Sequence, residues 1–380
     1  MDTGNNIGYL LDPQSIALLG CSEKNVTGTV LLNLQSAGYA GKIYPVHPRN
    51  TEVHGVKCYP SLADVPGEVD ACVVGLRSSL VLQAVEEMHQ KGVKGAVFPA
   101  SGFAETGEEG RQLERQLKEK LGEYGIAACG PNCLGLVNTH KNAMLYSAAC
   151  DLTNVRGRIG LVSHSGSICI AMSSAARGAG FSYLVSCGNE VGLTVADYFR
   201  AMLEDENTDI LVGFLETIRD PEGLAEVARL AAAKNKPIVI LKVGKSEVAQ
   251  ATAAAHSGAL ASGRNVTDAF FRQNHILQVD NFDELSEFCE LWLRLKDQAP
   301  PPACKRWPSP PSRAGSWAFA AISPPRRVLP SATSARIPSH ASRRPCRILP
   351  PLKTRWTSPP PCSTPMTTRS ACAPWRPMMT

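Results

Sequence analysis

Short apolar runs alternate with segments of helical periodicity from residue 15 to residue 243, and no other feature of the chain narrows its fold as far. Residues 15–20 form the first run and end in Gly20. Val30, Leu31, Leu34 and Ala37 then share one helical face, and Gly38 stops the helix. Further strand candidates lie at 42–46, 71–76, 95–99 and 126–129. Between them run two helical stripes, Leu80/Val81/Ala84/Val85/Met88 and Leu113/Leu117/Leu121. Strands separated by helices pair in parallel, so residues 1–140 predict a doubly wound, Rossmann-type sheet. The alternation resumes with strands at 158–163, 181–186, 209–216 and 237–243 and helices at 167–177, 194–203 and 221–233; a last helix covers about 282–296. The pattern lapses over 140–157. The expected fold class is therefore α/β in two units, residues 1–140 and 150–297.

The remainder differs in kind. Residues 298–380 contain no Asp or Glu, 13 Lys and Arg, 19 of the 28 prolines and one of the 31 glycines. The formal net charge of +5 belongs to this tail, because residues 1–297 hold 26 basic and 34 acidic side chains. With no helical or alternating period, the tail predicts disorder rather than a packed core. Two origins fit it: GC-rich DNA read in the wrong frame, or a genuine basic tail whose Trp307, Trp317, Trp356 and Trp375 could stack on bases. A nucleic-acid partner is not expected. The nine cysteines of the body are irregularly spaced, and Cys129 and Cys133 have no second pair, so no metal site is expected. Cys72 and Cys169, inside apolar segments, read as small buried residues. Residues 1–12 lack the pattern of a secretory signal, and no apolar run reaches membrane-spanning length, so the expected setting is cytoplasmic, with reduced thiols and no membrane.

The chemistry-bearing residues fall at strand ends. The first βα loop, Gly20-Cys21-Ser22-Glu23-Lys24-Asn25-Val26-Thr27-Gly28, can cradle phosphate with backbone N–H groups, although it lacks the dinucleotide fingerprint and an ordinary βα loop reads the same. After the second strand, where an NAD site carries an acid, stands His47-Pro48-Arg49-Asn50. Arg49 suits a phosphorylated ribose, that of NADP or coenzyme A, unless it is simply solvated. Ser101-Gly102-Phe103 and Gly130-Pro131-Asn132-Cys133 follow the fourth and fifth strands, on the ligand-binding edge. Ser163-His164-Ser165-Gly166-Ser167 joins a strand to a helix and offers hydroxyls and N–H groups to an anion. It also fits a nucleophile elbow at Ser165, with Asp220 and His256 following in hydrolase order, or a plain helix cap. Glu216 ends an apolar strand and can fix the tautomer of a nearby imidazole. His256, set among small residues in Ala253-Ala254-Ala255-His256-Ser257-Gly258-Ala259, has room to accept a group in one place and deliver it in another.

Taken in order, these segments resemble the NDP-forming acyl-CoA synthetases, relatives of the succinyl-CoA ligase α subunit. The likeness runs through Gly-Lys-Ile-Tyr-Pro-Val-His-Pro at 41–48, Gly-Val-Lys-Cys-Tyr-Pro-Ser at 55–61, Gly-Pro-Asn-Cys-Leu-Gly at 130–135, Ser-His-Ser-Gly at 163–166, Ser-Cys-Gly-Asn at 186–189 and His-Ser-Gly-Ala-Leu-Ala at 256–261. It implies a Rossmann-type CoA-binding domain followed by a flavodoxin-like ligase domain. It implies that His256 becomes a phosphohistidine oriented by Glu216, with the phosphoryl group held at Ser163, Ser165, Gly166 and Ser167. By the same resemblance Gly20, Ser22, Val26, Arg49, Ser101 and Asn132 line the CoA site. The implied substrates are coenzyme A, phosphate and a small carboxylic acid. ADP/ATP or GDP/GTP, with Mg, belongs to an ATP-grasp domain or β-type subunit, for which residues 1–297 offer no candidate. A CoA- or acyl-CoA-binding module without turnover and a Ser165 hydrolase are the competing readings.

Overall fold

The computed structural model describes residues 6–149, 155–174, 179–244 and 264–297. His256 and residues 298–380 lie outside the described residues.

A short helix, α1 (Gly8–Leu11), precedes β1 (Ser15–Leu19), α2 (Val26–Ala37) and β2 (Lys42–Val46). A small hairpin, β3 (Glu52–Val53) and β4 (Val56–Lys57), leads to β5 (Ala71–Val74). Then come α3 (Val81–Lys91), β6 (Gly95–Val97), α4 (Glu108–Tyr124) and β7 (Ala127–Cys129). The five long-range strands pair in the order β2-β1-β5-β6-β7, all parallel. Every residue of β1 is buried because helices or neighbouring structure cover both faces. Ile16 and Leu18 enter one core cluster, Ala17 and Leu19 the other, as the two-residue period of a strand requires. Gly38, Gly92 and Gly125 end α2, α3 and α4 in the left-handed region.

The second sheet begins with an antiparallel hairpin, β8 (Gly135–Asn138) and β9 (Ala143–Tyr146). It continues through β10 (Arg156–Ser163), α5 (Gly166–Ser174), β11 (Phe181–Ser186), α6 (Val195–Glu204) and β12 (Ile210–Leu215). The remaining elements are α7 (Pro221–Ala233), β13 (Ile238–Lys242), α8 (Arg264–Gln273), β14 (Leu277–Val279) and α9 (Phe282–Leu295). Seven strands lie in the order β14-β13-β12-β10-β11-β8-β9. β10 to β14 are parallel, and β8 meets β11 antiparallel. The sequence pattern predicts every parallel strand of the two sheets except β14, and it predicts neither hairpin nor α8. The Ile16/Leu18 face of the first sheet shares its core cluster with Leu136, Val137, Leu161 and Leu184 of the second, so the two sheets are packed into one body. No described helix is long and apolar enough to cross a membrane.

Candidate active site where two sheet edges meet

Each sheet reverses its strand order at its first parallel strand. β1 lies between β2 and β5, and β10 lies between β11 and β12. Loops leaving such neighbours part in opposite directions and open a crevice at the carboxyl edge, where open α/β sheets bind ligands.

The first crevice carries Gly20, Ser22 and Val26 after β1, Arg49 after β2, Ser101 after β6 and Asn132 after β7. Asn25 shapes it. Its Oδ1 accepts from the N–H groups of Ser22 (3.2 Å) and Gly28 (3.0 Å) and from the Thr27 hydroxyl (2.8 Å). Its Nδ2 donates to the Gly20 carbonyl at 2.5 Å. The loop is thus folded back onto the start of α2, and Gly28 must lack a side chain because a Cβ there would sit 2.1 Å from the Ser22 carbonyl oxygen. Asn50 closes the far side by donating to the Cys21 carbonyl at 3.1 Å. Arg49 and Ser101 are exposed, and Arg49 has no ion pair among the described residues. An exposed guanidinium without an ion pair among the described residues suits an anion.

The second crevice is built on β10 and β12. Ser163 is buried, and its hydroxyl is committed to its own loop: it donates to the Ser165 carbonyl (2.8 Å) and accepts the Ser165 N–H (3.0 Å). Ser163 therefore shapes the loop from behind. The hydroxyls of Ser165 and Ser167 lie 2.9 Å apart at the start of α5. Asp220, the acid of the hydrolase reading, caps α7 by accepting from the Gly223 N–H at 2.8 Å. His164 turns inward. Its side chain is 6 % exposed, and its Nδ1 accepts the Glu216 N–H at 3.1 Å. The Glu216 carbonyl accepts from the buried Lys242 ammonium at 2.7 Å. β13 ends at Lys242 beside the end of β12.

The two crevices adjoin along a seam between the β7 and β11 loops. Asn189 and Val191 donate backbone N–H groups to the carbonyls of Pro131 (2.9 Å) and Gly130 (3.0 Å). The Asn189 amide reaches Glu105 (3.2 Å) and Glu114 (2.8 Å), and Glu105 also accepts the N–H groups of Gly102 (2.6 Å) and Phe103 (3.1 Å). Burial works to raise the Glu105 carboxyl, but these donors outweigh it and hold the group below the ordinary carboxylate value. Along the seam opens a pocket lined by Asn132, His164, Gly188, Asn189, Glu216, Thr217 and Arg219. Asn132, expected on the CoA side, and Glu216, expected on the phosphoryl side, thus line one pocket; Ser165, Gly166 and Ser167 flank it at His164. Asn189, Glu190 and Arg219 are given no role by the sequence reading. Asn189 ends the Ser-Cys-Gly-Asn segment at 186–189; for Glu190 and Arg219 the only local signal is position, since each follows a parallel strand on the ligand edge.

His164, Cys187 and Glu190 place ligand atoms within 4.8 Å of one another. The Cys187 thiol donates to the Ser163 carbonyl at 3.4 Å, and burial pushes it well above the ordinary thiol value, so it packs as a protonated thiol. The eight described cysteines are all buried and none is in a disulfide, Cys72 and Cys169 among them, and burial raises Cys21 and Cys289 to about 12.

Residues 14–139 match the family described as CoA binding domain, and residues 156–292 match the succinyl-CoA ligase like flavodoxin domain. The chain is 36% identical over 293 residues to acetate–CoA ligase [ADP-forming] I of Archaeoglobus fulgidus, covering 76% of this chain and 42% of that protein. It is 36% identical over 283 residues to the acetate–CoA ligase [ADP-forming] II subunit alpha of Pyrococcus furiosus, covering 73% of this chain and 61% of that subunit. In structure it resembles a dinucleotide-forming acetyl-coenzyme A synthetase of Candidatus Korarchaeum cryptofilum, solved with phosphate and ADP. That match has a TM-score of 0.71 and 31% identity, and it covers 75% of this chain and 62% of that one. The chain spans from under half to under two thirds of the length of these relatives. Its two domains belong to the CoA binding and succinyl-CoA ligase like flavodoxin families, and over them the chain is similar to the ADP-forming acetate–CoA ligases.

Proposed function

We propose that this chain is the α-type part of an NDP-forming acid–CoA ligase. Acyl-CoA and phosphate exchange to an acyl phosphate and free CoA. His256 then attacks the phosphorus, the P–O bond to the acyl group breaks, and the carboxylic acid leaves as its carboxylate. The phosphohistidine delivers its phosphoryl group to a nucleoside diphosphate, and the sequence runs equally toward thioester synthesis. The observation that carries this reading is the single pocket shared by Asn132 from the CoA-binding edge and Glu216 from the ligase edge. A thioester arriving along the first sheet and a phosphoryl group arriving along the second would meet there.

The proposed roles are those the resemblance implies, and the strand-end positions of these residues support them. Gly20, Ser22, Val26, Arg49, Ser101 and Asn132 hold CoA, with Arg49 on its phosphorylated ribose. Ser165, Gly166 and Ser167 steady the phosphoryl group at the start of α5, with Ser163 holding their loop. Phosphoryl transfer depends mainly on positioning and charge stabilisation, which suits a site of loop N–H groups with few titrating groups. Glu216 orients the His256 imidazole and stabilises its charged form. CoA-binding and ligase units of 1–140 and 150–297 accord with the matched families. The relatives' names favour ADP over GDP and make acetate the first acid to try. Nucleotide and Mg would lie on an ATP-grasp domain or β-type subunit, which the partial coverage of longer relatives leaves room for.

The test uses the full chain with acetyl-CoA, with and without phosphate. The proposal expects release of about one CoA thiol per chain that requires phosphate. CoA binding with the thioester left intact, tried also with succinyl-CoA and larger acyl-CoAs, would support a binding module instead.

A further inference from the structure

We propose that His164 is a positioning residue for phosphoryl transfer: a neutral imidazole, protonated at Nε2, whose Nδ1 fixes Glu216 through its backbone. The inference rests on the phosphohistidine reading above and adds to it a residue that reading does not use.

An imidazole nitrogen that accepts a hydrogen bond carries no proton. Because Nδ1 accepts the Glu216 N–H at 3.1 Å, the proton of the neutral ring sits on Nε2. Nε2 lies 3.0 Å from the Glu190 Oε2, yet off the line of a hydrogen bond, and neither atom has a hydrogen-bond partner among the described residues. Both side chains are closed to solvent, at 6% and 1% exposure. Glu190 is held in turn: its Oε1 accepts the Val195 N–H at 2.7 Å, and the Arg219 Nε stands 3.7 Å from Oε2. Glu190 also adopts φ +53°, a left-handed conformation that a residue with a side chain keeps only when its surroundings impose it. The three residues join the loops after β10, β11 and β12.

The consequence falls on Glu216. His164 takes its N–H and Lys242 its carbonyl, so the backbone from which its carboxylate springs is pinned on both sides. A second proton on the ring would set two N–H groups against each other and release one side. The charged and titratable groups around the ring are Glu190, Arg219, Glu216 and Cys187.

The test compares His164→Leu, His164→Asn and wild type. Leucine removes both nitrogens at similar bulk; asparagine restores an acceptor near the Nδ1 position. The readouts are the rate of phosphoenzyme formation from acetyl-CoA and radioactive phosphate, CoA affinity, and thermal melting. Loss of a buried hydrogen bond predicts a rate about 10- to 100-fold lower in His164→Leu, with CoA affinity within about 2-fold of wild type. His164→Asn should recover to within about 5-fold of wild type. A wild-type rate in His164→Leu, or no recovery in His164→Asn, overturns the proposal. Nitrogen resonances of the wild-type ring decide separately: an Nε2–H tautomer near neutral pH is expected, and an Nδ1–H tautomer or an imidazolium contradicts it. If wild type takes no label, the functional reading fails, while the resonances still judge the geometry.

Discussion

Gly188→Ala is expected to lose phosphoenzyme formation and much of its stability together. Gly188 has φ +57°, and a Cβ built on it lies 2.1 Å from the Pro131 carbonyl oxygen and 2.6 Å from that of Asn132. Both obstacles are backbone, so no side chain can swing aside. The left-handed conformation and the overlap together cost about 3 kcal/mol, which lowers Tm by roughly 6–12 °C. Relief requires the β11 loop to leave the β7 loop, which breaks the Asn189–Pro131 and Val191–Gly130 hydrogen bonds and opens the pocket between Asn132 and Glu216. Thermal melting and labelling with radioactive phosphate measure both effects. A variant that melts and labels like wild type would show that the seam does not form the site.

Glu216→Gln should separate chemistry from folding. Glutamine keeps the size of the side chain, and the backbone bonds to His164 and Lys242 remain available. Among the described residues the Glu216 carboxylate has no hydrogen-bond or ion-pair partner, so its loss strands no buried donor. On the proposed function, what disappears is the negative charge that would steady His256 as it becomes cationic on phosphorylation. Removing one such electrostatic contact predicts a phosphoenzyme rate lower by about 100-fold or more. Melting temperature and CoA affinity should stay near wild type. A falling CoA affinity with an unchanged rate would place Glu216 in the thioester site instead.

Much of this fold is legible in the sequence because parallel strands are covered on both faces. Runs such as Ile210–Leu215 and Ile238–Lys242 are buried along their whole length and read as nearly continuous apolar segments. The β8–β9 hairpin is equally buried, but its four-residue strands are brief and antiparallel, and a helix-alternating pattern has no place for them. β3 and β4 are two residues each, too short for any period to show.

The site divides in the same way. Residues at strand ends are readable one loop at a time, which is how Gly20, Arg49, Ser165 and Glu216 can be assigned to a ligand edge. What no single loop reveals is that the β7 loop reaches across to the second sheet and brings Asn132 beside Glu216. Asn189, Glu190 and Arg219 acquire meaning only through that meeting. His164 lies inside a motif that the sequence reading assigns to an anion through its hydroxyls and N–H groups. Its inward turn follows from the burial of the β10 end against β11 and β12.

The account depends most on His256, and transfer of radioactive phosphate tests it directly. Full-length chain is incubated with acetyl-CoA or succinyl-CoA and labelled phosphate, then with ADP and an ATP-grasp partner. Wild type should acquire acid-labile, base-stable label that ADP removes, and His256→Ala should acquire none while still binding CoA. Equal labelling of wild type and His256→Ala, or CoA binding with no label in either protein, would contradict the relay.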